Sequence, residues 1–449
     1  MALIDDKTTD AFKSGQGEAG KKAALMADDR VELGFDGPWY LGRYPDVAQA
    51  IVKGAARDAW DHFVKIGRDE GRAPFAFDES WYLESNPDVG AAFRRGTIQS
   101  PRNHYLQHGR NEDRFPVAAG KATRVIAYGS FGSNNVGDEA ILEGIKRVYP
   151  DCVQVYHNKV RTGEGYLATQ MLGPTPFFQS TDYLILGGGG LLYDRGTVTL
   201  MIRLARAAKE QGAIVDIARM GCEAAQDDYA KEIVELFEMA RRVTLRSTMS
   251  QGIMQRLTGK TYPVEDDFAF NLEEEAKRMP RRKNDIPTIG VATASSSRGD
   301  IEVLAELIKK YTRAGTREKV RFVHIPHSRS YFEIGNNDCV TSHELWTLCH
   351  MHQAEDDSLL QLLDYDPEPL SVLQTYRNLD GVMSSRYHGL IFGQITDTPT
   401  LAIGGDLIKL RSFIDDHGAD SMLVARNMGE LEKTVAAFLP IIRDNAASR

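Results

Sequence analysis

The sequence predicts an α/β protein with two Rossmann-like domains, preceded by a small, mainly helical repeat module. Three observations lead to this fold class. A stretch beginning at Phe35 recurs at Phe77, an offset of 42 residues without a gap. From Lys121 onward, apolar runs alternate with amphipathic stretches, which is the pattern of strand–helix units around a parallel sheet. A polar segment at 273–287, which we expect to be a linker crossing the surface, divides these units into two series.

The length of 449 residues allows two or three domains. We expect a disordered tail at 1–30, the repeat module at 31–119, and Rossmann-like domains at 120–283 and 284–449. The tail is polar and shows no hydrophobic periodicity. Two doubly wound domains that face each other leave a cleft at the carboxyl ends of their strands, where ligands bind in open α/β sheets.

Composition argues against several classes of protein. An apolar fraction of 42% and a charged fraction of 26% are typical of a soluble globular protein. The net charge of −9 argues against nucleic-acid binding, because neutralising phosphates needs a cationic surface. No apolar run suits a signal peptide or a membrane span, so we expect a cytoplasmic protein. The cysteines form no CxxC pair, which predicts free thiols and no structural zinc: Cys152, Cys222, Cys339 and Cys349.

The tandem repeat predicts short helices. Asn86 and Ser100 each precede a proline and fit helix N-caps. Gly67 and Gly109 fit helix ends in the left-handed conformation. The recurring histidines and arginines could contact carbohydrate, but packing explains them as well, and we favour a structural or partner-docking role. The recurring pairs include Trp39 and Trp81, Pro45 and Pro87, His62 and His104, and Arg72 and Arg114. The module resembles a helical repeat attached to bacterial glycosyltransferases.

Strands and helices alternate in both series. The first series predicts strands at 124–130, 183–189, 213–220 and 242–247, with helices at 138–149, 199–212 and 229–242. The second series begins with PTIGVAT at 287–293 and ends with the helix GELEKTVAAFLPIIRD at 429–444.

The first candidate ligand loop is GSFGSNNVGDEA at 129–140, between a predicted strand and a predicted helix. Glycines such as Gly137 let the backbone approach a ligand, and the helix N-terminus offers N–H groups to an anion. Asn134, Asn135 and Asp138 add side chains that can hydrogen-bond hydroxyl groups. The spacing fits neither a dinucleotide fingerprint nor a P-loop. A tight turn in which Asp138 and Glu139 cap the helix is the alternative.

The second candidate loop is GGGGLLYDRG at 187–196, after the predicted strand at 183–189. Consecutive glycines, among them Gly188 and Gly189, indicate a backbone that lies close to another group. That group is either a ligand or the facing domain.

The third candidate segment is SSRYHGLIF at 384–392. A predicted strand ends near Arg386, and His388 opens an apolar helix. Arginine suits phosphate and carboxylate groups because its donors form a planar fork. Histidine can be protonated near neutral pH and can act as an acid or a phosphate ligand. The pattern therefore predicts an anion site.

Together these segments resemble the polysaccharide pyruvyl transferase family. The resemblance rests on GSFGSNNVGDEAIL, YLILGGGGLL, VTLRSTMS, MSSRYHGLIFG and AIGGDLIKLRSFIDDHG, and it spans residues 124–430. It implies a GT-B-like arrangement of the two domains with phosphoenolpyruvate bound between them. Arg386 and His388 match the family's Arg-x-His, and Arg246 and Lys409 match its strand arginine and its lysine. The chain departs from the family at Ser247, where an acidic residue is common, and at IGGD (403–406), which replaces a tyrosine.

Pyruvate ketal formation needs an anion site, an acid and a base. We assign Arg386 and Arg246 to the donor anion, Lys409 as a further cation, and His388 as general acid or phosphate ligand. Asp138, His324 or His327 would orient or deprotonate the acceptor, although His324 fits a buried strand residue better. We expect no cofactor and no metal cluster. The expected partners are phosphoenolpyruvate and a sugar or lipid-linked acceptor, with possible contact to a glycan assembly at the inner membrane face.

Two other functions stay open. A GT-B glycosyltransferase that uses a nucleotide sugar would share the fold and the glycine loops. A non-catalytic glycan-binding scaffold would use the repeats as its working part. The acceptor sugar, the choice between a ketal and an enolpyruvyl ether, and the oligomeric state are not determined by the sequence.

Overall fold

The computed structural model describes residues 33, 35, 37–109, 112, 114, 116–117, 124–150, 152–157, 165–173, 177–293, 298–312, 319–330, 336–350, 359–404, 407–418 and 422–447. The predicted tail at 1–30 lies outside these residues. Among the helices of this part of the chain, none combines the length and apolar character needed to cross a bilayer.

Within the described residues, each unit of the repeat module contains three α-helices. In the first unit they are α1 (Gly37–Arg43), α2 (Pro45–Val52) and α3 (Ala59–His62), and α3 continues into a π-helical turn, Phe63–Gly67. In the second unit they are α4 (Glu79–Ser85), α5 (Pro87–Arg94) and α6 (Pro101–Gln107). Each unit has its own aromatic core, around Tyr40 and Phe63 in the first and Tyr82 and Tyr105 in the second.

Both predicted N-cap residues stand at the N-cap position, but only one of them uses its side chain as a cap. The Ser100 side chain accepts a hydrogen bond from the backbone N–H of Asn103 at 3.2 Å. Asn86 makes no such cap. Its side chain donates to the carbonyl of Tyr82 (2.8 Å) and accepts from Arg114 (3.1 Å). Asn86 therefore stands at the N-cap position before Pro87, as predicted, but a distant arginine and a preceding carbonyl use its amide.

The repeated glycines are required by close packing. Gly67 lies within the π-helical turn rather than at a left-handed helix end, so that prediction was wrong. A Cβ atom at Gly67 would lie 2.0 Å from the hydroxyl oxygen of Tyr40, and one at Gly109 would lie 2.2 Å from that of Tyr82. The same tyrosine–glycine contact therefore recurs in both units.

The first α/β domain is built on a six-stranded parallel sheet. Its strands are β1 (Val125–Gly129), β2 (Val153–Tyr156), β3 (Tyr166–Leu167), β4 (Tyr183–Gly189), β5 (Ile214–Met220) and β6 (Arg242–Leu245), in the order β3-β2-β1-β4-β5-β6. Its helices are α7 (Val136–Val148), α8 (Ala168–Met171), α9 (Arg195–Glu210), α10 (Ala230–Met239), α11 (Thr248–Thr258) and α12 (Glu273–Arg278), with 3-10 turns at Asp227–Tyr229 and Phe268–Leu272.

The second α/β domain repeats this plan. Its strands are β7 (Thr288–Ala292), β8 (Arg321–His324), β9 (Leu360–Leu362), β10 (Gly381–Ser384), β11 (Thr400–Ile403) and β12 (Leu423–Ala425), all parallel, in the order β12-β11-β10-β7-β8-β9. Its helices are α13 (Arg298–Thr312), α14 (Asp338–His350), α15 (Pro369–Arg377), α16 (Tyr387–Ile395), α17 (Ile408–Phe413) and α18 (Leu431–Ala447), with a π-helical turn at Ile414–Gly418 and a 3-10 turn at Met428–Glu430.

Both sheets have the strand order of a Rossmann fold. Numbered within its own domain, each sheet reads 3-2-1-4-5-6. The strands are buried because helices cover both faces, which explains their nearly continuous apolar runs. The predicted fold class of two Rossmann-like domains is confirmed.

An apolar core joins the two domains. Val136 and Ala140 of α7 pack in one buried cluster with Leu373 of α15 and Leu390 of α16. The segment at 273–287, predicted to be a surface linker, begins with α12, whose Lys277 carbonyl accepts a hydrogen bond from Arg377 at 2.7 Å. This segment is therefore partly helical and is held against the second domain.

Candidate functional site

The candidate site lies where the carboxyl edges of the two sheets meet. The backbone N–H of Val136 donates to the carbonyl of His327 (2.9 Å), and that of Arg329 donates to the carbonyl of Asn134 (2.9 Å). These bonds connect the loop after β1 with the loop after β8. The neighbouring strands β1 and β4, and likewise β7 and β10, are the points at which each sheet reverses its winding. Ligands of doubly wound folds bind at such points.

Arg246, at the end of β6, lies at the centre of the site and is 4% exposed. Its Nη2 is 3.0 Å from Oε2 of Glu223, and its Nη1 is 3.4 Å from Oδ2 of Asp267. Its guanidinium carbon lies 4.1 Å from the ring centroid of Tyr387, a residue of the other domain. Burial opposes the charge, but Glu223, Tyr387 and Asp267 hold the pKa of Arg246 above its ordinary value. The arginine is therefore charged and firmly positioned.

Glycines make room for this arginine. A Cβ atom at Gly221 would lie 2.4 Å from Nε of Arg246, which is closer than any real contact allows. A Cβ atom at Gly190 would lie 3.4 Å from Nη2 of Arg246 and 3.9 Å from Nζ of Lys409. The backbone at Gly190 therefore lies beside both cationic groups.

Lys409, on α17, brings a second cation to the same place. Lys409 is exposed to solvent. Among the described residues, its ammonium group has no ion-pair or hydrogen-bond partner. Desolvation by the walls of the cleft and the charge of Arg246 lower its pKa from the ordinary value. A cation without a protein partner is available to an anionic ligand.

His388 sits against the first turn of α7. A Cβ atom at Gly137 would lie 2.1 Å from Nδ1 of His388, so only glycine permits this position of the imidazole. On the other side of the ring, Nε2 lies 3.8 Å from Oδ2 of Asp267. Burial would raise the pKa of Asp267, but His388 and Arg246 lower it to about 2. The predicted glycine at 137 and the predicted histidine thus form a single contact between the domains.

Asp138 lies next to the same groups. Its Oδ1 is 3.8 Å from the position of a Cβ atom at Gly189. Burial raises the pKa of the Asp138 carboxyl, and the positive charges of His388, Lys409 and Arg246 only partly offset this effect. A carboxyl group with a raised pKa is suited to proton transfer.

The guanidinium of Arg386 already donates hydrogen bonds to protein side chains. Its Nε donates to Oδ2 of Asp338 (3.1 Å), its Nη2 donates to Oδ1 of the same carboxylate, and its Nη1 donates to Asn336 (2.9 Å). Asp338 is fully buried. The Asp338 carboxylate uses two of the N–H groups of Arg386, much as Glu223 and Asp267 use those of Arg246, and the assignment of Arg386 to the donor anion stays a prediction.

Four other predicted binding residues make contacts within the protein. His327 is 1% exposed, and its Nε2 shares a hydrogen bond of 2.7 Å with the hydroxyl of Tyr376. Asn135 accepts from the N–H of Gly137 (3.0 Å) and caps α7, which corrects the idea that Asp138 or Glu139 is the cap.

Gly188 has a φ of +73°, and a Cβ atom there would lie 2.4 Å from Cγ2 of Ile141. It serves packing within the first domain, whereas Gly189 and Gly190 face the site.

Asn134, with a φ of +56°, is buried and joins the domains through its carbonyl. His324 is buried and bonded to Ser342 (2.8 Å), as the alternative interpretation predicted.

Sequence reasoning missed Glu223 and Asp267. Both are buried carboxylates, and neither stands in one of the glycine or Arg-x-His segments. A signal was present at position 247, because Ser247 donates to Oε1 of Glu223 at 3.2 Å. Ser247 stands where the resemblance leads one to expect an acidic residue, and in this chain Glu223, which follows β5, is an acidic partner of Arg246.

The described part of the chain contains no group of three or more His, Cys, Asp or Glu side chains arranged to hold a metal ion. The arrangement that it does contain is one of two cations, one imidazole and one carboxyl group with a raised pKa. Such a set can bind an anion and exchange protons with it.

The sequence model of the polysaccharide pyruvyl transferase family matches residues 135–406, which is more than half of the chain. The chain belongs to the polysaccharide pyruvyl transferase family. It is therefore a transferase. Of the four residues that form the cationic and proton-transfer cluster, Asp138, Arg246 and His388 lie inside the matched region, and Lys409 lies just after it. No protein of curated function matches the chain in sequence.

Solved structures outside this family are distantly similar to the chain. UDP-GlcNAc 2-epimerase from Methanocaldococcus jannaschii is 11% identical, with 70% of this chain and 92% of that chain aligned and a TM-score of 0.47. Anabaena HepE in complex with UDP-glucose is 11% identical over 72% and 91% of the two chains, with a TM-score of 0.47. Staphylococcus aureus MnaA with UDP is 9% identical over 70% and 88%, with a TM-score of 0.48. At such low identity no residue role passes from these proteins to this pyruvyl transferase family member.

Proposed function

We propose that this protein transfers the enolpyruvyl group of phosphoenolpyruvate to a sugar of a surface-polysaccharide precursor, forming a pyruvate ketal and releasing phosphate. The observation that carries the proposal is the cluster of Lys409, Arg246, His388 and Asp138 at the meeting point of the two sheets, in a chain of this family. Phosphoenolpyruvate carries a phosphate and a carboxylate, and a cleft with two cations suits both groups.

Lys409 would carry most of the donor's charge. The charge of Arg246 is already offset by Glu223 and Asp267, whereas Lys409 has no such partner in the described residues. Arg246 would instead direct an N–H toward the same anion while its two carboxylates keep the guanidinium in place. Arg386, which Asp338 holds at the start of α16, would likewise contribute an N–H group to the donor anion.

The proton balance of the reaction needs one acid and one base. A proton added to the methylene carbon of phosphoenolpyruvate creates an oxocarbenium-like centre at C2, which one sugar hydroxyl attacks. The C2–O bond to phosphate then breaks, and a second hydroxyl closes the ketal. Of the two hydroxyl protons, one replaces the proton given to the methyl group and the other leaves with phosphate. His388 would supply the first proton and Asp138 would accept one from the acceptor.

The acceptor would be a sugar or a lipid-linked oligosaccharide. The reaction requires two hydroxyl groups close enough for one carbon atom to bridge them. No cofactor is needed, because the donor already contains the activated enol phosphate. We place the reaction in the cytoplasm, where phosphoenolpyruvate would be available.

Thermal melting with candidate ligands tests the proposal. A ligand at one hundred times its Kd stabilises the folded state by about 2.7 kcal/mol, which is readily measured as a rise in Tm. We expect phosphoenolpyruvate to raise the Tm and UDP-glucose to leave it unchanged. Lys409→Met should abolish the rise. Lys231→Met, at an exposed position of α10, is the matched control and should retain it.

Phosphate release in the presence of sugar acceptors then tests the transfer step. The proposal fails if UDP-glucose raises the Tm while phosphoenolpyruvate does not, a result that would favour a nucleotide-sugar glycosyltransferase. It also fails if Lys231→Met and Lys409→Met respond equally, because binding would then not involve the cleft.

A further inference from the structure

His388 belongs to the second domain but is surrounded by groups of the first. Its side chain is 12% exposed. The Nδ1 edge of the ring lies on Gly137, and the Nε2 edge faces Asp267. Nε2 is itself buried and has no hydrogen-bond partner among the residues that the structure describes. The two ring nitrogens therefore have clearly different surroundings.

The Nε2 edge faces a permanent negative charge. Asp267 is 1% exposed, and its Oδ1 accepts from the backbone N–H of Ala269 at 3.0 Å. Its Oδ2 lies between Nη1 of Arg246 (3.4 Å) and Nε2 of His388 (3.8 Å). Because burial is outweighed by His388 and Arg246, the pKa of Asp267 is about 2, and the carboxylate stays ionised at any pH used for an assay.

The Nδ1 edge faces the positive end of a helix. It lies over the first turn of α7, a helix of 13 residues whose N-terminus carries a partial positive charge. The nearest polar hydrogen there, on the N–H of Gly137, is already bound by Asn135 at 3.0 Å. A proton on Nδ1 would therefore lie in the unfavourable field of the helix terminus.

The other charged and titratable groups around the ring do not reverse this asymmetry. Asp138 lies near His388 on α7, and His327 lies near it in the loop after β8. Burial, together with the charges of Arg386 and His388, holds the pKa of His327 well below its ordinary value, so His327 adds no charge. Asp138 has a raised pKa and contributes a weaker negative charge than Asp267.

We infer that Asp267 is a positioning residue that keeps a proton of His388 on Nε2, on the side of Arg246, and thereby fixes the orientation of the imidazole beside the donor site. This inference rests on the proposed function for its catalytic meaning. A carboxylate that orients an imidazole and selects its tautomer is a common device in proton-transfer sites. Here the carboxylate and the imidazole come from different domains, so the proton donor is complete only when the two domains are in contact.

Long-range ¹H–¹⁵N NMR of histidine-labelled protein measures the tautomer directly. The His388 signals are assigned by their loss in His388→Gln. In the unmodified protein we expect protonation at Nε2. In Asp267→Asn the amide can donate as well as accept, and we expect the Nδ1-protonated form to appear.

The matched control is Asp266→Asn. Asp266 is the neighbouring residue, and its side chain is 65% exposed with Oδ1 at 3.7 Å from Nε2 of His417. This pair also crosses between the domains but stands outside the cluster around Arg246. Asp266→Asn should leave the His388 signals unchanged.

Kinetics with phosphoenolpyruvate and an acceptor give the second measurement. Asp267→Asn should lower kcat about 100-fold, while KM for phosphoenolpyruvate stays within about threefold, because Glu223 still holds Arg246. A fall in kcat confined to Asp267→Asn, with no fall in Asp266→Asn, supports the inference. Equal kcat values in the two variants overturn it.

The NMR result separates this inference from the proposed function. In the unmodified protein at a pH at which the imidazole of His388 is neutral, a proton on Nδ1 instead of Nε2 overturns the inference whatever the variants do. If Nε2 is protonated and responds to Asp267→Asn, but phosphoenolpyruvate neither binds nor releases phosphate, the positioning role stands and the proposed reaction is wrong.

Discussion

The repeat module and the interdomain cleft use the same residue types in opposite ways. In the module, Arg114 holds Asp88 with both ends of its fork (2.8 and 2.7 Å) and Glu112 with Nε (3.0 Å). Nδ1 of His104 lies 3.0 Å from the hydroxyl of Tyr82. The first unit repeats these contacts with Arg72, Asp46, Glu70, His62 and Tyr40. The recurring arginines and histidines are thus satisfied within each unit.

In the cleft, comparable groups are left incomplete. Lys409 has no partner in the described residues, Nε2 of His388 has no hydrogen bond, and the pKa of Asp138 is raised by burial. The arginine–carboxylate pair of the cleft is also buried, with side-chain exposures of 3% for Arg246 and 0% for Glu223. The difference teaches that residue type does not identify a functional site. The unsatisfied groups identify it.

The largest effect is expected for Gly137→Ala. The added methyl group would displace the imidazole of His388, which lies 2.1 Å from the Cβ position, and kcat should fall by about 100-fold or more. Gly252→Ala is the control, because a Cβ atom there meets nothing within 4 Å inside α11. It should keep full activity and stabilise the protein by about 0.5–1 kcal/mol. Unchanged activity in Gly137→Ala would remove His388 from the mechanism.

Arg246→Met should separate the buried ion pair from the exposed one. It leaves Glu223 and Asp267 without their cation in a buried site, and the free energy of unfolding should fall by about 3–5 kcal/mol. Arg114→Met removes an arginine whose partner Asp88 is 64% exposed, and the loss should be about 1 kcal/mol or less. Urea denaturation measures both values. Equal losses of unfolding free energy in the two variants would show that the ion pairs of the cleft and of the repeat module contribute equally to stability.

Gly109→Ala tests whether the module's glycine is a packing requirement. The added Cβ would lie 2.2 Å from the hydroxyl oxygen of Tyr82 but 3.3 Å from its Cζ. We expect a loss of about 1–3 kcal/mol from overpacking, and partial recovery when Tyr82→Phe is added. Transferase activity should not change in either variant. Failure of Tyr82→Phe to recover stability would point to a backbone requirement instead.

Asp138→Asn should stabilise the protein while lowering its activity. The folded-state pKa of Asp138 is above the unfolded value, so ionisation favours the unfolded chain as the pH rises. This destabilisation is absent below the unfolded pKa of about 3.9 and complete above the raised folded pKa. The variant should therefore have a higher Tm at pH 7 and nearly the same Tm at low pH. A lower Tm at pH 7 would contradict the cited shift.

The contribution of Asp267 to folding stability changes with pH in the opposite direction. Its folded pKa of about 2 is below the unfolded value, so its contribution to stability is present above about pH 4 and is lost as the pH falls toward 2. Melting curves of Asp267→Asn and Asp138→Asn from pH 3 to pH 7 should consequently diverge. Parallel curves would show that the two carboxyl groups have similar surroundings.

The sequence by itself determined the alternation of strands with helices, four of the six strands of the first sheet, and the places where loops face the cleft. The alternation of apolar runs with amphipathic stretches gives two parallel sheets, because only helices can cover both faces of such strands. The period of 42 residues similarly defines two helical units. Glycines and the Arg-x-His segment mark strand ends, since a backbone that bends sharply or approaches another group needs glycine.

Only the tertiary structure decided which charged groups are paired. Arg386 is separated from Asp338 by 48 residues, and Arg246 from Glu223 by 23 residues, yet each pair is in contact. Whether an arginine is free to bind a ligand depends on such distant carboxylates, and nothing in its own segment reports them. The segment around His327 likewise does not show whether its imidazole is free, because Nε2 of His327 is hydrogen-bonded to the hydroxyl of Tyr376, which lies 49 residues away in the sequence. Local patterns determine where a side chain stands along the chain, whereas packing between remote segments determines which of its bonds are left unsatisfied.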